Sequence, residues 1–340
     1  MDDSRYSVDS SVPRRYFALK RIMITGASSG IGRACAFWFL NQGARVALVG
    51  RDKKVLDEIG EQFPHQAVSV QCDFVIDMGQ YELVTSVVEA LGGLDILINA
   101  AGLIFENDLE GTFPQDHDYL IDINLRSVFH ISSMCAPFLK RSKGVILNFS
   151  AEWGNRPQQG MISYCMTKAG IEMLTKCLAL ELAPIRVNAV APGITRTNLF
   201  NYLQMTRDDQ DWLYRRIADT TPLKRVANVD DVVKAVVFLC SNQSKAITGQ
   251  IIKVDGGRHL TSSLFTHWDS SSTMSSKIFP EPKVQVIGRE LSGLNNKRLN
   301  IREMLEKSRW YTDMADAHVK IKSGYNAREV NEEILIGPED

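Results

Sequence analysis

Between residues 17 and 259 the chain alternates short β-rich runs with longer amphipathic stretches, and no other feature narrows the fold as much. The β-rich runs fall at 21–25, 45–49, 67–71, 96–99, 144–149, 186–191 and 250–254, each followed or preceded by sequence of helical character. A strand that joins a parallel neighbour needs a crossover of a dozen or more residues, and a helix is the usual one. Such crossovers are right-handed in nearly all cases, which places helices on both faces. The expected fold class is therefore α/β: a Rossmann-type, doubly wound, seven-stranded parallel sheet, with an extended C-terminal tail.

The composition is that of an ordinary folded protein, 44% hydrophobic and 23% charged over 340 residues, which supplies a large core. A net charge of -1 excludes the basic excess that neutralising a nucleic-acid backbone requires. Six cysteines, at 35, 72, 135, 165, 177 and 240, form no Cys-x-x-Cys pair and have no histidine at metal-ligand spacing. They read as free thiols in a reducing compartment, and no metal is expected. No apolar run reaches the roughly 20 residues that span a bilayer. The acidic, polar start fits neither a secretory signal nor an Arg-rich transit peptide, so the cytoplasm is the default and the mitochondrion the alternative.

Residues 1–16 form an N-terminal segment, and composition changes again after Gly257. The Ser/Thr-rich stretch 260–276 reads as linker; 283–287 alternates like an extended piece, 301–319 has a helical pattern, and 326–329 looks like a capping-box helix start. None of these carries enough apolar residues for a core of its own, so the extension 260–340 is expected to be disordered or to dock on a partner or another surface.

Four motifs carry chemistry. The turn Thr25-Gly26-Ala27-Ser28-Ser29-Gly30-Ile31-Gly32 follows the first strand and opens a helix, where glycines let the backbone approach a pyrophosphate held by the helix N–H groups. Asn99-Ala100-Ala101-Gly102 ends the fourth strand with small residues that leave room for a ribose. Asn124 follows in Asp122-Ile123-Asn124-Leu125. Tyr164 and Lys168 stand four residues apart, on one face of a helix; a nearby cation lowers a phenol's pKa, so Tyr164 is expected to exchange protons near neutral pH.

In this order the motifs resemble the classical short-chain dehydrogenase/reductase family over residues 17–257, the Pro192-Gly193 turn included. The resemblance implies hydride transfer between a nicotinamide cofactor and a carbonyl or secondary alcohol, with Tyr164 as general acid/base and Lys168 holding the nicotinamide ribose. It further implies that Asn124 holds a water of the proton relay, and that Asp73 and Phe74 flank the adenine. Pro192, Gly193, Ile194 and Thr197 would line the nicotinamide and phosphates, and 198–221 would form a mobile substrate lid. A homo-oligomer is implied as well.

Cofactor choice is read from charge. Relatives that prefer NAD end the second strand with an acid for the ribose 2′-hydroxyl, whereas this strand ends Gly50-Arg51-Asp52. Arg51 suits a 2′-phosphate, so NADP is expected before NAD; the alternative has Arg51 on a surface loop and Asp52 on the hydroxyl. One position departs from the family: thirteen residues before Tyr164, where relatives place a catalytic serine, this chain has Ala151, with Ser150 one step earlier. Either the strand end bends so that Ser150 supplies the hydroxyl, or that donor is missing. Two functions follow: an active oxidoreductase using Asn124, Ser150, Tyr164 and Lys168, or a nucleotide-binding subunit of low turnover recruited to an assembly through 260–340.

Overall fold

The structure is a computed structural model in which residues 16–74, 77–106, 109, 112–197, 199 and 206–261 are described, the side chains of 77–81 excepted. The expected tail elements at 283–287, 301–319 and 326–329, and the N-terminal segment up to residue 15, lie outside the described residues. Contacts divide the chain into two units; the larger carries the sheet and the site, and the smaller holds, among described residues, only Leu109, Thr112 and Phe113.

The elements run β1 (Arg21–Thr25), α1 (Gly30–Asn41), β2 (Arg45–Gly50), α2 (Lys53–Gln62), β3 (Ala67–Gln71), α3 (Asp77–Leu91) and β4 (Ile96–Asn99). They continue with α4 (Pro114–Ile121), α5 (Ser127–Ser142), β5 (Val145–Phe149), α6 (Ile162–Glu181), β6 (Arg186–Pro192), α7 (Arg207–Thr220), α8 (Val229–Cys240) and β7 (Ile251–Val254). All seven strands pair in parallel, as the alternation predicts, and their order is β3-β2-β1-β4-β5-β6-β7. Strand ends shift by a residue where a backbone group is spoken for. Gly144 stays outside β5 with its N–H given to the Leu139 carbonyl at 2.8 Å, and Gln250 stays outside β7 with its N–H given to the Asn188 side chain at 3.0 Å.

Because both faces of the sheet are covered, the strands read as nearly unbroken apolar runs, and their period of two sorts them into two cores. Ile22, Ile24, Val46, Leu48, Ile96, Ile98 and Leu147 pack with Phe39, Leu56 and Val236 beneath α1, α2 and α8. Their neighbours Met23, Ala47, Val49, Leu97 and Ile146 pack with Val87, Ile131, Cys135 and Leu178 of α3, α5 and α6. Side-chain caps start several helices: Asp52 accepts from the Val55 N–H for α2, and Thr206 with Asp209 and Asn228 with Asp231 form capping boxes for α7 and α8. Helix α1 differs: Ser29 at its N-cap makes no capping hydrogen bond, so its first N–H groups face the crevice at the end of β1.

Candidate active site

Strand order reverses between β1 and β4, and beyond their C-terminal ends lies a cavity of about 780 Å³. One wall is the loop from β1 to α1. The Thr25 hydroxyl accepts from the Ala101 N–H at 3.1 Å, tying that loop to the end of β4. Gly26 has φ +69° and a Cβ there would come within 2.8 Å of the Ala101 backbone, while a Cβ on Gly32 would run into the Gly26 carbonyl. Only glycine permits this packing, which leaves Ser28, Ser29, Gly30, Ile31 and Gly32 lining the cavity over the uncapped start of α1. Arg33, Arg51, Asp73 and Phe74 line the same cavity, as do Ala100, Gly102, Pro192, Gly193, Ile194 and Thr197. Asp52 lines it too, but its carboxylate is the cap of α2, bonded to the Val55 N–H at 3.2 Å. A dinucleotide fits these residues: glycine backbone and an open helix N-terminus for the diphosphate, two arginines for a further phosphate.

Tyr164 and Lys168 stand on the opposite wall, both buried, with the lysine Nζ 5.5 Å from the tyrosine ring centroid. The ammonium donates to the Phe149 carbonyl at 2.9 Å. Burial lowers Lys168 to about 8. The expected lowering of the Tyr164 pKa is not found: burial pushes it well above the ordinary phenol range, and Cys165 and Glu152 push it further. The lysine's positive charge is spent on the Phe149 carbonyl, and desolvation of the phenolate wins.

Two expected site residues, Asn99 and Asn124, stand behind the wall, and a third, Ser150, lines the cavity but is held by other partners. Asn124 lies in a five-residue π-turn, Asp122–Arg126, between α4 and α5, and its amide clasps Leu103, accepting from its N–H at 2.8 Å and donating to its carbonyl at 2.9 Å. It thereby fixes the loop after β4. Asn99 does not line the cavity as expected, because strand alternation turns it toward α5, where it donates to Ser132 at 3.1 Å and to Asn148 of the neighbouring β5 at 2.9 Å. Ser150 does not supply a hydroxyl to the tyrosine; its Oγ lies 2.9 Å from Glu172 Oε1 and 3.3 Å from the Lys168 carbonyl. The backbone stays extended at Ala151 (φ -153°, ψ 169°), so it is the alanine methyl that packs with Ile104, Trp153 and Tyr164.

Several lining residues escape a reading of the sequence: Ile104, Trp153, Leu199 and, most of all, Glu152, which is 2% exposed and paired with Arg258. An acid three residues after the end of β5, next to a tryptophan, was the available signal. Asp255 is buried beside them; burial raises its pKa, but hydrogen bonds from the His259 and Gly257 N–H groups and the His259 ring outweigh this and hold it low. Of the expected lid, residue 198 and residues 200–205 lie outside the described residues. Its helix α7 is tied to the loop after β6 by Arg196, which meets Asp211 at 3.0 Å and stacks 4.3 Å over the Tyr214 ring. Among the described residues, no cluster of His, Cys, Asp and Glu could hold a metal ion, and no helix is long and apolar enough to cross a membrane.

Comparison with known proteins places these features in a wider group. The profile of the family described as Enoyl-(Acyl carrier protein) reductase matches residues 26–259. The chain is 36% identical over 253 residues to a 3-oxoacyl-(acyl-carrier-protein) reductase of Staphylococcus epidermidis, covering 71% of this chain and 99% of that one. It is 34% identical over 245 residues to a 3alpha-hydroxysteroid dehydrogenase of Mediterraneibacter gnavus, covering 70% and 96%. Among solved structures it resembles a short-chain dehydrogenase/reductase of Caenorhabditis elegans with cofactor (TM-score 0.68, 28% identity, covering 74% and 100%). It also resembles the 3-ketoacyl-(acyl-carrier-protein) reductase of Brucella melitensis complexed with NADH (TM-score 0.66, 31% identity, covering 72% and 99%).

Proposed function

This chain belongs to the short-chain dehydrogenase/reductase family of nicotinamide-dependent oxidoreductases, and from that premise we propose that it reduces a partly apolar carbonyl with NADPH, Tyr164 giving the proton. The observation that carries this reading is the single cavity that runs from the glycine loop to Tyr164 and Lys168. A bound nicotinamide supplies or accepts the hydride. Tyr164 gives a proton to the substrate oxygen, and burial keeps that proton on the phenol near neutral pH, which is the protonation state that carbonyl reduction needs. Lys168, anchored to Phe149, holds the nicotinamide ribose. Asn124 keeps Leu103 in place on the cavity wall, and Pro192, Gly193, Ile194 and Thr197, which line the same cavity, would hold the nicotinamide end of the cofactor.

NADP is preferred over NAD on charge. No acid ends β2, Asp52 is occupied as a helix cap, and Arg33 and Arg51 lie on the adenosine side of the cavity. The substrate side is apolar, built from Ile104, Ala151, Trp153, Ile194 and Leu199 around the tyrosine. Two relatives, named as a 3-oxoacyl-(acyl-carrier-protein) reductase and a 3alpha-hydroxysteroid dehydrogenase, support a substrate with an oxo or hydroxyl group on an apolar body. A second copy of the chain would cover the stripe of Ile162, Met166 and Met173 on α6 with Phe129 on α5, which are 39%, 51%, 58% and 50% exposed.

Ala151 supports a second reading, a nucleotide-binding subunit of low turnover that joins an assembly through 260–340, since the hydroxyl that relatives place beside the tyrosine is missing. One experiment separates the two: a panel of ketones assayed with NADPH and NADH. The enzyme reading expects turnover with NADPH first, and a loss of about 10³ in kcat/KM in Tyr164→Phe with NADPH affinity kept within a few-fold. Turnover indifferent to Tyr164→Phe would remove the mechanism, and no turnover on any carbonyl would favour the subunit.

A further inference from the structure

The apolar side of the cavity carries an open hydrogen-bond donor. Trp153 stands in the short 3-10 turn Glu152–Gly154 after β5 and lines the cavity with Ile104, Ala151, Ile194 and Leu199. Its side chain meets the Tyr164 ring edge-on, with centroids 6.0 Å apart and planes at 84°. The indole Nε1 donates to no group among the described residues, yet it is not sealed away from solvent, as Glu152 Oε2 and Arg258 Nε are. Trp153 is only 7% exposed, and that exposure includes its N–H. The turn that carries it is held from both sides. The Gly154 N–H closes it on the Ala151 carbonyl at 3.0 Å, and a Cβ on Gly154 would come within 2.6 Å of Ser150 Oγ and Glu172 Oε1. Glu152 is tied to Arg258, whose carbonyl accepts from Arg156 Nη1 at 2.8 Å. The indole is therefore presented by a rigid piece of the wall.

Water meets such a donor at little cost while the cavity is open. A ketone seated at Tyr164 against Ile104, Ile194 and Leu199 displaces that water, and must then bring an acceptor or leave the N–H unpaired. An indole N–H only donates, so neither an ammonium nor a methylene answers it. A carboxylate has the acceptors, but it would give up its hydration for a single neutral donor on an otherwise apolar wall. A second carbonyl or an ester oxygen answers the N–H and brings no charge. Trp153 and Tyr164 do not hydrogen-bond each other, so each donor is open to an oxygen of its own. Since the two rings are in contact, those oxygens belong on neighbouring carbons.

We propose that Trp153 Nε1 is a specificity-determining donor for a second, neutral acceptor oxygen carried next to the reacting carbonyl, so that 2-keto esters are favoured over plain ketones of the same shape. A site built to bond a substrate's polar group discriminates against the analogue without it, because its own group is then left unpaired. The inference rests on the oxidoreductase reading for placing the reacting carbonyl at Tyr164.

The test uses the full chain and a pair matched in length, ethyl benzoylformate and valerophenone, which differ in the ester oxygens beside the ketone. For both, kcat/KM is measured with NADPH, and the dissociation constant on the NADP complex by calorimetry, in the wild type and in Trp153→Phe. A keto ester is the more reactive ketone by itself, so the quantity read is the change in the keto ester/ketone ratio between the two proteins, in which that reactivity cancels. The ratio should fall about tenfold in Trp153→Phe, the loss of one hydrogen bond, with NADP affinity and valerophenone turnover kept within a few-fold. Should that variant fail to fold, 3-benzothienylalanine at position 153, which keeps the shape of the indole with sulfur in place of N–H, should lower the ratio equally. A ratio unchanged by the substitution, or binding of neither ketone to the wild type, overturns the proposal. Equal losses on both ketones do so too, and mean that the N–H serves the reacting oxygen or, where NADP affinity falls as well, the cofactor; the oxidoreductase reading then stands. A binding preference that Trp153 controls, without turnover of either ketone, does the reverse.

Discussion

The two ends of the sheet treat charge in opposite ways. At the N-terminal edge three arginines close every gap they face. Arg21 pairs with Asp95 at 2.8 Å and donates to the Gly92 carbonyl at 2.7 Å. Arg45 donates to the carbonyls of Leu91 and Ala90, both at 2.9 Å, and Arg186 to those of Leu239 at 3.0 Å and Ser241 at 3.1 Å. At the C-terminal edge, a few residues along the same strands, Lys168 is buried without a carboxylate partner, and Asn99 Oδ1, Glu152 Oε2 and Arg258 Nε lack hydrogen bonds among the described residues. One end is built to hold; the other keeps costly groups in place for chemistry.

That contrast can be broken at its most expensive point. Burial takes Lys168 from its ordinary 10.5 to about 8. Between those values the unfolded chain binds the proton that the folded chain has released, so stability rises with pH across the window, and below pH 8 the buried ammonium costs roughly 3 kcal/mol. Lys168→Met should therefore be the more stable protein at pH 7 by about that amount, with the advantage fading from pH 8 to 10.5, as denaturant melts of the cofactor-free protein would show; catalysis should be lost. A melt showing no gain would mean that the C-terminal edge is not under strain from this residue.

Next in size is the missing donor. Ala151→Ser puts a hydroxyl where the alanine methyl now meets Tyr164, and kcat on the best ketone should rise by about 10², the reverse of losing one oxygen-binding group elsewhere. No rise would mean that another group already serves the substrate oxygen. The smallest effect belongs to the other edge. Asp95→Ala strands the Arg21 guanidinium and N–H and should cost about 2 kcal/mol in urea unfolding, with kcat/KM unchanged. Burial raises the Asp95 pKa, but the hydrogen bonds from Arg21 outweigh it and hold the carboxyl low. Its contribution is thus present above the ordinary carboxylate range and disappears as pH falls through the folded value, and the acid limb of the wild-type stability curve should flatten in the variant.

The sheet and the cofactor wall were legible because their causes are local. A period of two marks each strand, and glycine marks each place where backbones meet. What escaped depends on groups that are distant or hidden. Strand alternation, applied at Asn99, would have turned it inward; the same alternation applied at Ser150 left the matter open until Glu172 was seen to hold its hydroxyl. Four-residue spacing on a helix gave the meeting of Tyr164 and Lys168, but not the burial that reverses the expected effect on the phenol. Glu152 and Arg258 are 106 residues apart, and no pattern in either stretch announces the other.

The bare first turn of α1 ties the life of the polypeptide to its nucleotide. Whatever anion satisfies those N–H groups binds the folded chain and not the unfolded one, so a cofactor present at a hundred times its dissociation constant adds about 2.7 kcal/mol to stability. Cells short of that nucleotide would then keep less of this protein, because more of it would be open to proteases.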